Sequence, residues 1–149
     1  MLAAIRPDSV NFPLLVHVFG AMLLVATLVA AVGAAILSRS DRGATLQRLA
    51  FRTLLIGSVP AFLLMRAGAE WVKDKENASD DATWIGIGYG VSDMGLLLLI
   101  VATVLAWFAL RRANRGEAGG ALGSVTAAIV SLLVLGYGVA IWAMTTKPD

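Results

Sequence analysis

Trp84–Leu110 reads WIGIGYGVSDMGLLLLIVATVLAWFAL. It is almost wholly apolar, has tryptophans near both ends and encloses one acid, Asp93. At ~1.5 Å rise per residue a helix of this length reaches roughly 40 Å, more than the ~30 Å hydrocarbon core of a bilayer. An acid in such a helix has to face protein or water, because facing lipid costs a few kcal/mol or more. Asp93 is therefore expected to be buried, and the helix to need partners.

The rest of the chain supplies them. Of 149 residues, 58% are hydrophobic and only 15% are charged, against roughly 45–50% and about 25% in ordinary globular chains. The excess is gathered into runs, the signature of a membrane protein. A formal charge of +2 is too small to argue for nucleic acid. There is no cysteine, which excludes thiolate catalysis, disulfide exchange and cysteine-ligated metal.

In chain order, Met1–Asn11 lacks the basic start and cleavage site of a signal peptide, so the first apolar run is read as retained. That run covers about 12–37, with Pro13 suited to a first helical turn. A second covers about 50–71. It begins amphipathically around Arg48 and Arg52 and carries Pro60, whose ring frees a carbonyl and implies a kink. Lys73–Thr83 is a hydrophilic loop. The third run, about 84–110, ends at Arg111-Arg112-Ala113-Asn114-Arg115-Gly116, and the fourth covers about 121–144. The expected fold is all-α: one polytopic membrane domain over 1–149, a bundle of four transmembrane helices.

Lysine and arginine near the span ends set the orientation. Arg39, Arg42, Arg48 and Arg52 flank the first connection, and Arg111, Arg112 and Arg115 the third. The second sets Lys73 and Lys75 against Glu70, Asp74, Glu76, Asp80 and Asp81. The first and third connections are expected in the cytoplasm, with both termini outside. Met22–Ala30, MLLVATLVA, also aligns without gaps against Leu98–Ala106, LLIVATVLA, in a register that sets His17 opposite Asp93.

With that orientation each helix offers one polar residue to the outer half: His17, Arg66, Asp93 and Tyr137. Asp93 shares a helical face with Gly86, Tyr89, Gly90 and Leu97. Gly86 and Gly90 form the small-x-x-x-small pattern of close helix packing, so this face is expected to be an interior seam. Asp93 then serves either proton coupling or ligand contact, or it forms a structural pair with Arg66 or bonds to Ser92 or Tyr137. Arg66 reads as an interfacial anchor with Glu70 one turn on, or as a clamp for oxygen anions. His17, the only histidine, lies on a face with Gly20, Ala21 and Leu24. It is a structural residue bonded to a carbonyl, or a ligand or proton relay. Alone it cannot build a zinc site, and haem ligation through two histidines would need a dimer. The acidic loop reads as a solvated connection rather than a cation site. No nucleotide-binding, zinc-protease or serine-hydrolase motif occurs.

Leu-Val-His-Val-Phe-Gly at Leu15–Gly20 and Arg-Ala-Gly-Ala-Glu-Trp at Arg66–Trp71 resemble the small bacterial integral membrane proteins grouped loosely with copper-resistance-D-like four-helix proteins. The resemblance implies a histidine-bearing bundle in the bacterial cytoplasmic membrane and, in some relatives, copper handling or haem association. A single histidine without a methionine or cysteine run does not match a copper site.

The leading functional expectation is an outward-facing polar pocket that binds or transports a small molecule or a proton-coupled ion, with no catalytic residue, metal or resident cofactor. A redox protein holding haem through a dimer, or a quinone headgroup, is the second. A non-catalytic subunit packed against another membrane protein or a second copy is the third.

Overall fold

The computed structural model describes residues 8–38, 43–76, 83–117 and 120–146; Arg39, Arg42, Asp80 and Asp81 lie outside them. Four long helices carry these residues: α1 (Asp8–Leu37), α2 (Gly43–Glu76), α3 (Thr83–Asn114) and α4 (Gly120–Thr146). All four are long and apolar enough to cross a membrane. The chain folds as an all-α, four-helix bundle of a multi-pass membrane protein, with no strand among the described residues.

Each helix outruns its apolar run. α1 starts at Asp8, so Pro13 falls in the second turn rather than the first, where it is fully buried. α3 closes at Gly116, whose φ of 73° lets the chain reverse. Gly116 N–H donates to Ala113 O at 3.1 Å and Glu117 N–H to Arg112 O at 3.1 Å, the paired bonds by which a left-handed glycine ends a helix.

α2 carries a local change of geometry. Thr53–Ser58 is a π-helical stretch immediately before Val59-Pro60, and Val59 N–H reaches Leu54 O five residues back. A proline ring clashes with the carbonyl four residues earlier in a regular helix, and widening the turn is one way to accommodate it.

Polar and glycine pairs hold α1 against α2. His17 meets Gly68, Gly20 meets Met65, Thr27 meets Ser58 and Ser38 meets Gln47. The residue numbers of these pairs have a constant sum, so one antiparallel register runs the whole length. A Cβ on Gly20 would strike the backbone of Met65, and one on Gly68 the backbone of His17. In lipid no hydrophobic force drives helices together, so backbone approach at small residues and interhelical hydrogen bonds take its place. Ser58 Oγ donates to Thr27 Oγ1 at 2.9 Å, and Gln47 Nε2 to Ser38 Oγ at 2.7 Å. Around this seam Leu24, Leu28, Leu54, Leu99 and Val130 form the buried core.

α1 also packs on α4, and α4 on α3. The ring closes unevenly. α3 meets α2 along Gly43–Arg52 and hardly touches it beyond Val59.

The interior seam of α3 is not the expected one. Gly86 and Gly90 are exposed on the monomer, with nothing within 4 Å of a Cβ built on either. The buried stripe is Ile85, Gly88, Ser92, Gly95, Leu99, Ala102, Ala106 and Ala109. Both stripes begin with small residues, but only this one stays small through Ala102, Ala106 and Ala109. The Gly86–Gly90 stripe runs into Met94, Leu97 and Val101, which suit lipid better than a helix crossing. Asp93 turns outward with it, its side chain 70% exposed on the monomer, so the buried acid expected above is corrected to one at the bundle's edge. His17 faces inward, so the aligned repeat does not place its two polar residues alike.

Candidate functional site

Where α2 parts from α3, a cavity of ≈ 70 Å³ opens at the end of the bundle where α1 begins and α4 ends. At ~10–15 Å³ per water on this measure it has room for about five waters. Every helix contributes to its wall: His17 and Val25 from α1, Arg66 and Ala69 from α2, Tyr89 and Ser92 from α3, Tyr137 and Met144 from α4. Most of the surface is apolar, with a few polar groups set into it, the usual makeup of a small-molecule site.

His17 is placed by the α1–α2 seam. Gly68 lets the two backbones meet at His17, and the His17 ring spans to α2, with Nδ1 2.9 Å from Met65 O. A carbonyl only accepts, so Nδ1 carries the hydrogen and, in the neutral ring, Nε2 holds a lone pair. The carbonyl bond expected of a structural histidine is present, and the ring lines the cavity as well. The stretches Leu15–Gly20 and Arg66–Trp71 pack on each other here, and Phe12, just before the first, meets Trp71 edge to face at 5.7 Å.

Arg66 links α2 to α3. Its Nε lies 3.1 Å from Glu70 Oε1, one turn on, and its Nη1 lies 3.0 Å from Asp93 Oδ1. The Asp93 contact is an ion pair without the alignment of a hydrogen bond. The guanidinium also sits 4.4 Å from the centroid of the Tyr89 ring, with Lys73 Nζ 5.1 Å from the same ring. The quadrupole of an aromatic face attracts cations at such distances. Asp93 meets Arg66 rather than Ser92 or Tyr137, and Glu70 lies against both Arg66 and Tyr89.

Tyr137 and Ser92 sit deeper, 5% and 6% exposed. The Tyr137 hydroxyl lies over Gly95, where a Cβ would come within 2.5 Å of its oxygen. Gly95 is one turn beyond Ser92 on the same face of α3. Neither hydroxyl has a hydrogen-bond partner among the described residues; the Tyr89 hydroxyl lies toward the Glu70 carboxylate. Buried polar groups are normally paired, so two unpaired ones around one cavity mark it out from the rest of the interior.

The structure thus brings His17, Arg66 and Tyr137 to one cavity and puts Asp93 and Glu70 on its rim. Gly20 lies in the adjoining seam, while Gly86 and Gly90 stay outside. Tyr89, Gly88, Gly95 and Lys73 belong to the site and were not singled out. Tyr89 could have been found as the residue one turn before Asp93. Gly88 and Gly95 needed the rotation of α3. No group of three or more His, Cys, Asp or Glu side chains among the described residues is placed to hold a metal ion.

No family model, curated protein or solved structure matches the chain.

Proposed function

We propose that this protein binds a small molecule in the cavity between its four helices, at an end of the bundle that faces the outside of a bacterial cytoplasmic membrane, and passes it across or senses it there. One observation carries the reading: Tyr137 and Ser92, both nine-tenths buried and with hydroxyls unpaired among the described residues, line the same cavity as His17 and Arg66. Evolution of a merely structural core would favour apolar groups at such positions, because a buried hydroxyl without a partner is costly. The orientation rests on charge. Arg48, Arg52, Arg111, Arg112 and Arg115 cluster at the end away from the cavity, while Lys73 and Lys75 are outnumbered by Glu70, Asp74 and Glu76 at the cavity end. The bacterial membrane is the setting that the copper-resistance-D-like resemblance implies.

The chain has no cysteine, so single cysteines report without background. With Asn77→Cys, Asn114→Cys and Ala69→Cys, the last on the half-buried wall of the cavity, a small membrane-impermeant thiol reagent added outside should label positions 77 and 69 and spare 114. Labelling of 114 from outside refutes the orientation, and a silent 69 refutes an outward-open cavity.

A second reading, assembly with another membrane protein or a second copy, is favoured by the outward face of Gly86, Gly90 and Asp93. A charged side chain on a lipid-facing stripe is costly, and a partner would cover it. Co-purification of a stoichiometric partner, lost in Gly90→Leu, would support it.

A further inference from the structure

We propose that the end of the bundle away from the cavity holds an anionic phospholipid, its phosphate on Arg52 and Arg48 of α2 and its chains on the apolar face beside them. This site stands apart from the cavity and needs only that the bundle spans a bilayer. The first argument is depth. Arg52 lies nine residues past Gly43 in a helix of 34 residues, so ~13 Å along a length of ~50 Å. Centring that helix on a ~30 Å hydrocarbon core leaves ~10 Å beyond each face. Arg52 then falls ~3 Å inside the boundary and Arg48 ~3 Å outside it. The second argument is the company it keeps. Residues three and four away share a helical face. Around Arg52 these are Arg48 and Leu49 on the water side and Leu55 and Ile56 toward the bilayer centre, all exposed. Arg52 thus stands on the outer surface of the bundle, among apolar side chains that meet lipid.

The third argument is the missing counter-charge. Arg66, near the opposite face, has both Glu70 and Asp93. Arg112 has Glu117 at 3.9 Å, and Arg111 lies 4.3 Å from the centroid of the Trp107 ring. Arg48 and Arg52 are in no ion pair among the described residues. A guanidinium at the lipid boundary lifts its head to the level of the phosphates and grips two oxygens as a fork. α3 strengthens the same field. Gly43–Arg52 packs on α3, and Arg66 faces Asp93 across the two antiparallel helices. Carried to the other end, that register sets Arg52 level with Trp107 and Arg48 level with Arg111, to within about one turn. Basic groups on adjacent helices at the cytoplasmic boundary are a recurring makeup of headgroup sites, and an aromatic belt marks that level. At this end the described residues set Arg48, Arg52, Arg111, Arg112 and Arg115 against Glu117 alone. A zwitterionic headgroup leaves that excess unanswered, and an anionic one reduces it.

The test uses the full chain in nanodiscs of phosphatidylcholine and phosphatidylglycerol, equimolar and with the same acyl chains. After release into mild detergent, native mass spectrometry counts the lipid that stays bound. Phosphatidylglycerol should be retained about fivefold or more over phosphatidylcholine, as expected for one basic group or more at the surface. Arg52→Gln should lower that retention about fivefold, and so should Arg48→Gln, which leaves the side chains within the hydrocarbon unchanged. Arg52→Lys, which keeps the charge and loses the fork, should fall between Arg52→Gln and the parent chain. Arg115→Gln, past the end of α3 on the water side, should change retention less than twofold. Thermal unfolding of each variant in pure phosphatidylcholine discs should match the parent chain and shows that the bundle is intact.

Equal retention of the two lipids by the parent chain overturns the proposal. A preference for phosphatidylglycerol that Arg52→Gln and Arg48→Gln both leave intact overturns it as well. Equal losses in Arg52→Gln and Arg115→Gln also overturn it, because the attraction is then spread over the whole end of the bundle and no site exists. None of these results bears on the cavity, whose labelling test is separate.

Discussion

The Arg66–Asp93 pair makes a quantitative test because its two members are held unequally. Asp93 lies ten residues past Thr83 in a helix of 32 residues, so ~15 Å along a length of ~48 Å. Centring that helix on a ~30 Å hydrocarbon core leaves ~9 Å beyond each face and puts Asp93 ~6 Å inside the boundary. An unpaired acid costs about 2.5–3.5 kcal/mol at the bilayer centre and little at the interface, so at this depth about 1–2 kcal/mol. Arg66→Gln removes the only cation paired with Asp93 among the described residues and should cost about that much. Asp93→Asn leaves Arg66 with Glu70 at 3.1 Å and with the Tyr89 ring, so its cost should stay below ~1 kcal/mol. Once Asp93 is neutral, Arg66→Gln no longer strands an acid, and the two changes should couple by roughly 1 kcal/mol in a double-mutant cycle. Reversible unfolding in mixed micelles, or steric trapping in bicelles, measures all four proteins. A costlier Asp93→Asn than Arg66→Gln would be wrong for this geometry, and coupling below ~0.3 kcal/mol would show that the 3.0 Å contact contributes nothing.

Two further outcomes follow from the seam. In His17→Asn the amide nitrogen can take the place of Nδ1 on Met65 O, whereas His17→Gln reaches the position of Nε2. Asn should therefore keep stability within ~0.5 kcal/mol, and Gln should lose about 0.5–1.5 kcal/mol; the reverse order would refute the bond as the anchor of the ring. Gly68→Ala drives a Cβ into the His17 backbone and should cost about 1–3 kcal/mol or more, while Gly90→Ala meets nothing and should gain up to ~1 kcal/mol of helix propensity. Equal effects in the same unfolding assay would mean that the α1–α2 approach is looser than described.

The four helices were legible because membrane spans are written in length and hydropathy, which depend on composition along the chain and on nothing else. The partnership of Arg66 with Glu70 was legible too, since i,i+4 spacing is local. Helix rotation is not. Asp93 has a glycine pair one and two turns before it and reads as a seam, yet Gly88, Ser92 and Gly95 carry an equally small stripe. Choosing between them requires following both to the far end of α3, where one meets Ala102, Ala106 and Ala109 and the other meets Leu97 and Val101. His17 was ambiguous for a different reason: the carbonyl that holds it belongs to Met65, 48 residues away, and no local pattern announces a backbone acceptor.

Pro60 ties these levels together. Its ring cannot follow a regular helix without loss of a bond, and the π-helical stretch Thr53–Ser58 precedes it. On one side of that stretch, Gly43–Arg52 packs on α3; on the other, Val59–Glu76 stays with α1 and leaves α3. The α1–α2 seam allows no such parting, because Gly20 and Gly68 bring backbone onto backbone at the cavity end. The space between α2 and α3 therefore opens where the helix geometry changes, and it is bounded by one rigid wall and one loose one. Among the described residues the loose wall is bridged by polar links, Arg66 to Asp93 and the two cations on Tyr89. Such links exchange with water or ligand at small cost near an interface, whereas interdigitated backbone does not. On the binding role proposed above, that pair of walls defines the side on which a molecule is admitted, the side on which Arg66 lies.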